Sequence, residues 1–368
     1  MADIALRVDP KIIIGADTVN RIGPLSSKRG SKVLLACEQG LNEQAKRISD
    51  IIEDSGIKAI RYDEVPLQMN AESAEHIASL AKGACCDLIV GLGGVHTQAT
   101  GRLASILTSS NYDLYEIFDG RKETAFVPYL AIPTSGEDPF LLSNYLLLSD
   151  PRDKIVKLIR TPRSLCSVVI LDPNLSRIQG DEEENALSAD MMSAILDGLC
   201  SALEAYCSTK SNFLSDTILE KAISLYSSLI AGDKTEAADF TGSILNAGLL
   251  MSLGTACSAA GIGTALSYSI SGRFPVTKSS CSAIMLPHIM EKLISCRPEK
   301  MEKAENLTPS SVRSCMEKLS IPSKLGDLAL SLDKLSSVAE NARDLEFVAH
   351  SPWPVTCDDA YDLVKQAF

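Results

Sequence analysis

The chain is 368 residues long, 45% hydrophobic and 22% charged, with aromatic residues at only 5%. This is ordinary globular composition at a length that suits two domains. The formal net charge of −12 argues against nucleic acid or an anionic membrane as a partner.

The opening run "MADIALRVDPK" lacks the basic start and apolar core of a secretory signal, so none is expected. "SKVLLACE" (31–38) reads as a buried strand. "NEQAKRISDIIEDSG" (42–56) has helical spacing and stops at Gly56. "KAIRYDEV" (58–65) predicts a strand, "AESAEHIASLAKGA" (71–84) a helix, and "CDLIVGLGG" (86–94) a strand that runs into a glycine turn. "YLAIPTS" (129–135) and "CSVVILDP" (166–173) are further short strands. "YLLLSDPRDKIVKLI" (145–159) predicts a hairpin turning at Asp150–Arg152, because Asp-Pro favours a turn.

After Pro173 the strand pattern ends and the chain reads as helical from about Asp181. "DEEEN" (181–185) suits a helix start, where the dipole favours carboxylates. No charged residue occurs from Thr241 to Gly272, but Ser, Thr and Gly are too frequent for a lipid-facing span. Two tightly packed helices in a soluble core are expected there. The fold class is therefore α/β followed by all-α: a Rossmann-like domain over 1–178, an all-helical domain over 179–368, and a cleft between them for a small-molecule ligand. The eleven cysteines show no CxxC motif or paired spacing, which points to a reduced cytoplasm. Cys85–Cys86 reads as structural.

Several segments, in order and spacing, resemble the iron-containing alcohol dehydrogenase family, which shares its fold with glycerol dehydrogenase and dehydroquinate synthase. "IIIGADTVNRIG" (12–23) resembles its opening hairpin, "KVLLACEQGL" its first nucleotide-domain strand, and "IVGLGGVHTQATGRLAS" its glycine-rich signature. "VVILDPNLS" resembles the domain crossover. "ILDGLCSALEAYCS" (195–208), "SAIMLPHIMEK" (282–292) and "SPWPVTCDDAYDLVKQAF" resemble its helical signatures and C-terminus. The resemblance implies NAD(P)-dependent interconversion of an alcohol and a carbonyl, assisted by a divalent metal. It also implies a homodimer.

The family's metal lies between an Asp, a His four residues on, and two later His. Here the Asp matches Asp197, and the other positions fall at Ser201, at or near Leu266, and at Lys278. Leucine has no lone pair, serine is a poor ligand for iron or zinc, and lysine is a cation. No iron or zinc site is therefore expected. Lys278 has two readings. It could balance the Asp197 carboxylate as a buried ion pair. It could also replace the Lewis acid by donating to a substrate carbonyl oxygen, which makes Asp197 and Lys278 the candidate catalytic pair.

In the glycine-rich stretch Gly93 and Gly94 match the family. Val95 replaces its third glycine, His96 its Ser, Ala99 its Asp and Arg102 its Lys. A β-branched Val95 hinders close approach of a pyrophosphate. His96 could donate to a phosphate or merely cap the helix. The next loop, "PTSGEDPFLLSN" (133–144), retains Thr134 but places Glu137, Asp138 and Pro139 where the family offers Gly, Thr and Ser. These acids either repel a pyrophosphate or turn outward into solvent. Glu38, at the end of its strand, could take a ribose 2′-hydroxyl and so favour NAD. The candidate cofactor residues are thus Glu38, Gly93, Gly94, His96 and Thr134. Three functions remain open: an NAD-linked oxidoreductase for a small alcohol or aldehyde, working without the usual metal; a catalytically silent binding, regulatory or assembly protein; or a pocket repurposed for another ligand.

Overall fold

A computed structural model describes residues 8–122, 124–175, 188–232, 237–304, 307–328, 330 and 334–368. The expected helix start at 181–185 lies outside them. The first part of the chain contains β1 (Lys11–Ile14), α1 (Ile22–Ser27), β2 (Lys32–Glu38), α2 (Asn42–Asp54), β3 (Lys58–Val65) and α3 (Glu72–Gly83). It continues with β4 (Leu88–Gly93), α4 (Val95–Ser109), α5 (Leu114–Phe118), β5 (Tyr129–Pro133), β6 (Tyr145–Ser149), β7 (Val156–Arg160) and β8 (Cys166–Leu171). The later part is helical: α6 (Ala189–Cys207), α7 (Phe213–Ala231), α8 (Ala237–Ala256), α9 (Ile262–Arg273) and α10 (Lys278–Cys296). Four more follow, α11 (Pro298–Met301), α12 (Pro309–Lys318), α13 (Leu335–Asp344) and α14 (Cys357–Gln366).

The described residues divide into two compact units. One comprises Val8–Ser135 and Leu141–Ile178; the other holds Gly136–Phe140 and the carboxyl-terminal helices. In the first unit, six parallel strands lie in the order β1-β8-β5-β4-β2-β3. Apolar residues of β2 and β4 such as Val33, Leu35, Leu88 and Val90 bury against Ile48 and Ile52 of α2. Each such side chain contributes about 1.5–3 kcal/mol on burial. The opening segment forms no hairpin among the described residues: β1 pairs with β8 in parallel, Ile12 opposite Val169. The β6–β7 hairpin forms as expected, Ser149 opposite Val156. Its turn is braced by Asp150, which accepts from Arg152 and Lys157. Those two cations hold the Asp150 carboxyl well below its usual range against the opposing effect of burial.

The order of β2, β3 and β4 places the cofactor-type turn. From β2 the chain crosses to β3 on one side, then to β4 on the other. The carboxyl ends of β2 and β4 therefore flank a topological switch point, where ligands of open α/β sheets bind. Glu38 ends β2 and Gly93 ends β4.

In the second unit α6 packs against α7, α8, α9 and α10. Nearly its whole circumference is buried, from Met191 to Cys207, as for a helix with apolar residues on every side. Any polar residue on α6 must then find its partner inside the unit. The uncharged 241–272 stretch resolves into α8 and α9. Among the described residues no helix is long and apolar enough to cross a membrane.

Candidate functional site

At the switch point the Glu38 carboxylate turns onto the start of α4. Its Oε2 accepts from the Gly94 amide at 2.8 Å and from Thr97 Oγ1 at 3.2 Å. Glu38 is only 4% exposed. The turn requires glycine at position 93, whose φ of +152° is a conformation that side chains rarely adopt. A Cβ there would also come within 2.6 Å of Thr97 Oγ1. At Gly94 a Cβ would lie 3.2 Å from Ser135 Oγ and 3.3 Å from Glu38 Oε2. Thr134, fully buried, donates its amide to the Gly93 carbonyl at 3.2 Å. His96 occupies the first turn of α4 and is nearly buried. Glu38, Gly93, Gly94 and Thr134 therefore converge on one turn, with Glu38 directed at the amide of Gly94.

Two residues that spacing alone does not single out hold this turn. Gln98 Nε2 donates to the carbonyls of Gly91, Gly93 and Ile132, tying α4 to the ends of β4 and β5. Its Oε1 accepts from Tyr129 Oη at 2.8 Å. The Tyr129 ring fits because Gly91 and Gly101 leave room; a Cβ on either would come within 2.7 Å of the ring or its hydroxyl. Arg102 is buried and donates to the carbonyls of Gln98 and Ser143. It braces backbone instead of presenting a charge to solvent.

The second loop does not swing outward: Asp138 is buried, while Glu137 is partly exposed. Residues 136–140 pack within the helical unit. Gly136 and Gly248 of α8 touch backbone to backbone, so that a Cβ on Gly248 would sit 2.1 Å from the Gly136 carbonyl oxygen. Phe140 stacks in tilted geometry on Tyr268 and Phe347, with centroids at 6.0 and 5.4 Å. Asp138 is 4% exposed and caps its own turn, its Oδ1 accepting from the Phe140 amide.

In the same unit Lys278 Nζ lies 2.7 and 2.6 Å from the two oxygens of Asp197. The side chains are 3% and 0% exposed. The ammonium also lies 5.0 Å from the Tyr268 ring centroid and donates, at 3.5 Å, to the Glu137 carbonyl. Lys278 is the first residue of α10, the wrong end of a helix dipole for a cation, so its place is set by Asp197. Ser201 Oγ is engaged with Thr264 Oγ1 at 3.1 Å, and Leu266 is fully buried. Burial pushes up the nearby Cys200 and Cys281 thiols, and the Asp197 carboxylate adds to the effect.

Sequence reasoning missed Glu204. One turn beyond Ser201, its carboxylate caps α9, accepting from the amides of Gly261, Gly263 and Thr264 and from Thr264 Oγ1. Burial outweighs these four bonds and raises its pKa above the ordinary 4.5. The available signal was a lone acid in the apolar run "LCSALEAYC".

Family comparisons bear on both units. A family model described as iron-containing alcohol dehydrogenase matches residues 9–173. The carboxyl-terminal model of the same family matches residues 191–368. Alcohol dehydrogenase 4 of Saccharomyces cerevisiae (strain YJM789) is 22% identical over 366 residues, covering 94% of this chain and 93% of its own. Long-chain-alcohol dehydrogenase 1 of Geobacillus thermodenitrificans is 24% identical, covering 96% and 94%. A crystal structure of a 1,3-propanediol oxidoreductase superposes over the full length of both chains with a TM-score of 0.87 at 20% identity.

Proposed function

The chain belongs to the iron-containing alcohol dehydrogenase family, and on that premise we propose an NAD(H)-linked interconversion of a small alcohol and its aldehyde or ketone, with Lys278 in place of a metal ion. The coarser statement, an alcohol dehydrogenase-like oxidoreductase, rests on the family match over both units. The observation that carries the finer one is the buried contact of the Lys278 ammonium with both oxygens of Asp197.

The metal does not fit the side chains present. A divalent ion needs three or four donors at about 2.0–2.3 Å. Here Asp197 is bound to an ammonium, Ser201 to Thr264, and Leu266 offers no donor. No step is therefore assigned to a metal. A dinucleotide fits better, because the Gly93–Gly94 turn opens α4 at the switch point, although the Gly94 amide is engaged by Glu38.

NADH, when bound, supplies hydride. The chain's own residues act on the oxygen that gains charge. Two N–H bonds of Lys278 are fixed by Asp197. The third makes a long 3.5 Å contact with the Glu137 carbonyl, and a substrate oxygen that takes that carbonyl's place would receive this N–H as it develops alkoxide charge. Lysine supplies a positive donor without Lewis-acid coordination, so turnover slower than metal-assisted catalysis is expected.

A second reading rests on the closure of the same pair. With Lys278 only 3% exposed, the pair could simply seal the core of a catalytically silent binding, regulatory or assembly protein. Chelator-treated protein, assayed for NADH oxidation with short-chain aldehydes and for metal content, separates the two. Metal-free turnover that Lys278→Met abolishes supports the oxidoreductase. A properly folded protein with no turnover and no nucleotide binding supports the silent relative, and stoichiometric iron or zinc would sink the lysine substitution altogether.

A further inference from the structure

The nucleotide reading gives Glu38 a role beyond that of a ribose acceptor. We infer that Glu38 is a built-in occupant of the phosphate cradle: its carboxylate sits on the Gly94 amide, and an incoming phosphate must displace it.

The amide of Gly94 opens α4 at the switch point. Such a terminus attracts one anion, because exposed N–H groups and the helix dipole converge there. In this chain an anion is already present. Glu38 Oε2 accepts from Gly94 N at 2.8 Å and from Thr97 Oγ1 at 3.2 Å, in a position that is 4% exposed. The cradle is fitted closely around it: an added Cβ at Gly94 would be 3.3 Å from the same oxygen, and one at Gly93 would be 2.7 Å from Glu38 Cβ. Ser135 Oγ lies beside the turn as a buried hydroxyl with no hydrogen-bond partner, so a donor faces the cradle that Glu38 does not use. A carboxylate and a phosphate oxygen cannot share one N–H, and at close range in a partly dry site they repel. Intrinsic phosphate affinity is therefore held down by the chain itself, and Glu38 sets how tightly a dinucleotide binds.

This inference rests on the nucleotide reading, and its test uses probes that carry only the shared phosphate chemistry. Binding of inorganic pyrophosphate and of ADP is measured by calorimetry on the intact chain, with NADH in parallel. Four proteins are compared: wild type, Glu38→Ala, Glu38→Gln and the control Glu64→Gln, whose side chain is exposed on the neighbouring β3. Removing the occupant should tighten pyrophosphate and ADP about tenfold in Glu38→Ala, consistent with the worth of an anion at a helix terminus. Glu38→Gln, which drops the charge but keeps an oxygen for the Gly94 amide, should gain only about threefold. It also remains informative if the alanine variant folds poorly. The control should change by less than about twofold, because its exposed charge is screened by solvent. Equal gains in Ala, Gln and control would reduce the effect to net charge and overturn the inference. Loss of NADH affinity in Glu38→Ala would overturn it while leaving the oxidoreductase reading intact. Tighter pyrophosphate without any NADH turnover would support it and defeat that reading instead. No binding by any of the four would defeat both.

Discussion

The two units meet the same problem, a buried carboxylate, with different partners. In the α/β unit Glu38 rests on dipoles, the Gly94 amide and the Thr97 hydroxyl at the mouth of α4. In the helical unit Asp197 takes a full counter-charge from Lys278, while Glu204, nearby on the same helix, takes four neutral donors at the mouth of α9. A carboxylate held by dipoles can be replaced by another anion without stranding a charge. One held by a buried cation cannot. Exchange is thus assigned to Glu38 at the switch point and permanence to the Asp197–Lys278 pair.

The largest expected effect tests permanence. Lys278→Ala should cost about 3–5 kcal/mol in urea unfolding, because it strands a buried carboxylate. The double variant Asp197→Leu/Lys278→Met should recover most of that loss or exceed wild type, as apolar replacements of buried pairs often do. If single and double variants are equally unstable, the charge pair is not the cause. Next comes Glu204→Ala, which leaves several buried amides unmet and should cost about 3 kcal/mol. Its pH dependence sharpens the point. The folded Glu204 pKa is raised above 4.5, so the stability it confers is full below pH 4.5 and is lost as pH rises through the raised value. Glu204→Gln should lack that decline, read as the difference between the two unfolding midpoints across the pH series.

Smaller still is Gly248→Ala, which should cost about 1–3 kcal/mol by pushing on the backbone of Gly136. A wild-type melting temperature in that variant would mean that the 136–140 loop is not pinned to α8. The smallest effect concerns thiols. Cys85 is exposed and should react first with a disulfide reagent at pH 8. Cys37, buried and raised to about 12 chiefly by desolvation, should react only on unfolding. Fast labelling of Cys37 would show that the end of β2, and Glu38 with it, opens readily.

Periodicity carried most of the secondary structure, since strand and helix faces must repeat at two and 3.6 residues to bury a core. Even the Asp197–Lys278 pairing was within reach, because a buried acid demands a partner and lysine stood where a ligand was expected. The course of 136–140 was not. It depends on Gly136 meeting Gly248, residues far apart in sequence whose contact leaves no local pattern. Glu38 was read as waiting for a ribose, because its place at a strand end was visible while the direction of its side chain was not. Glu204 was passed over for a related reason: its partners come from the start of a different helix.

Tyr129, lodged between Gly91 and Gly101, links three positions into one steric unit. A methyl group at either glycine collides with the ring, whereas a smaller residue at 129 would leave a hollow under Gln98. In any diverging copy of this chain the three should therefore change together or not at all, so side-chain volume summed over them should vary less than at any one alone.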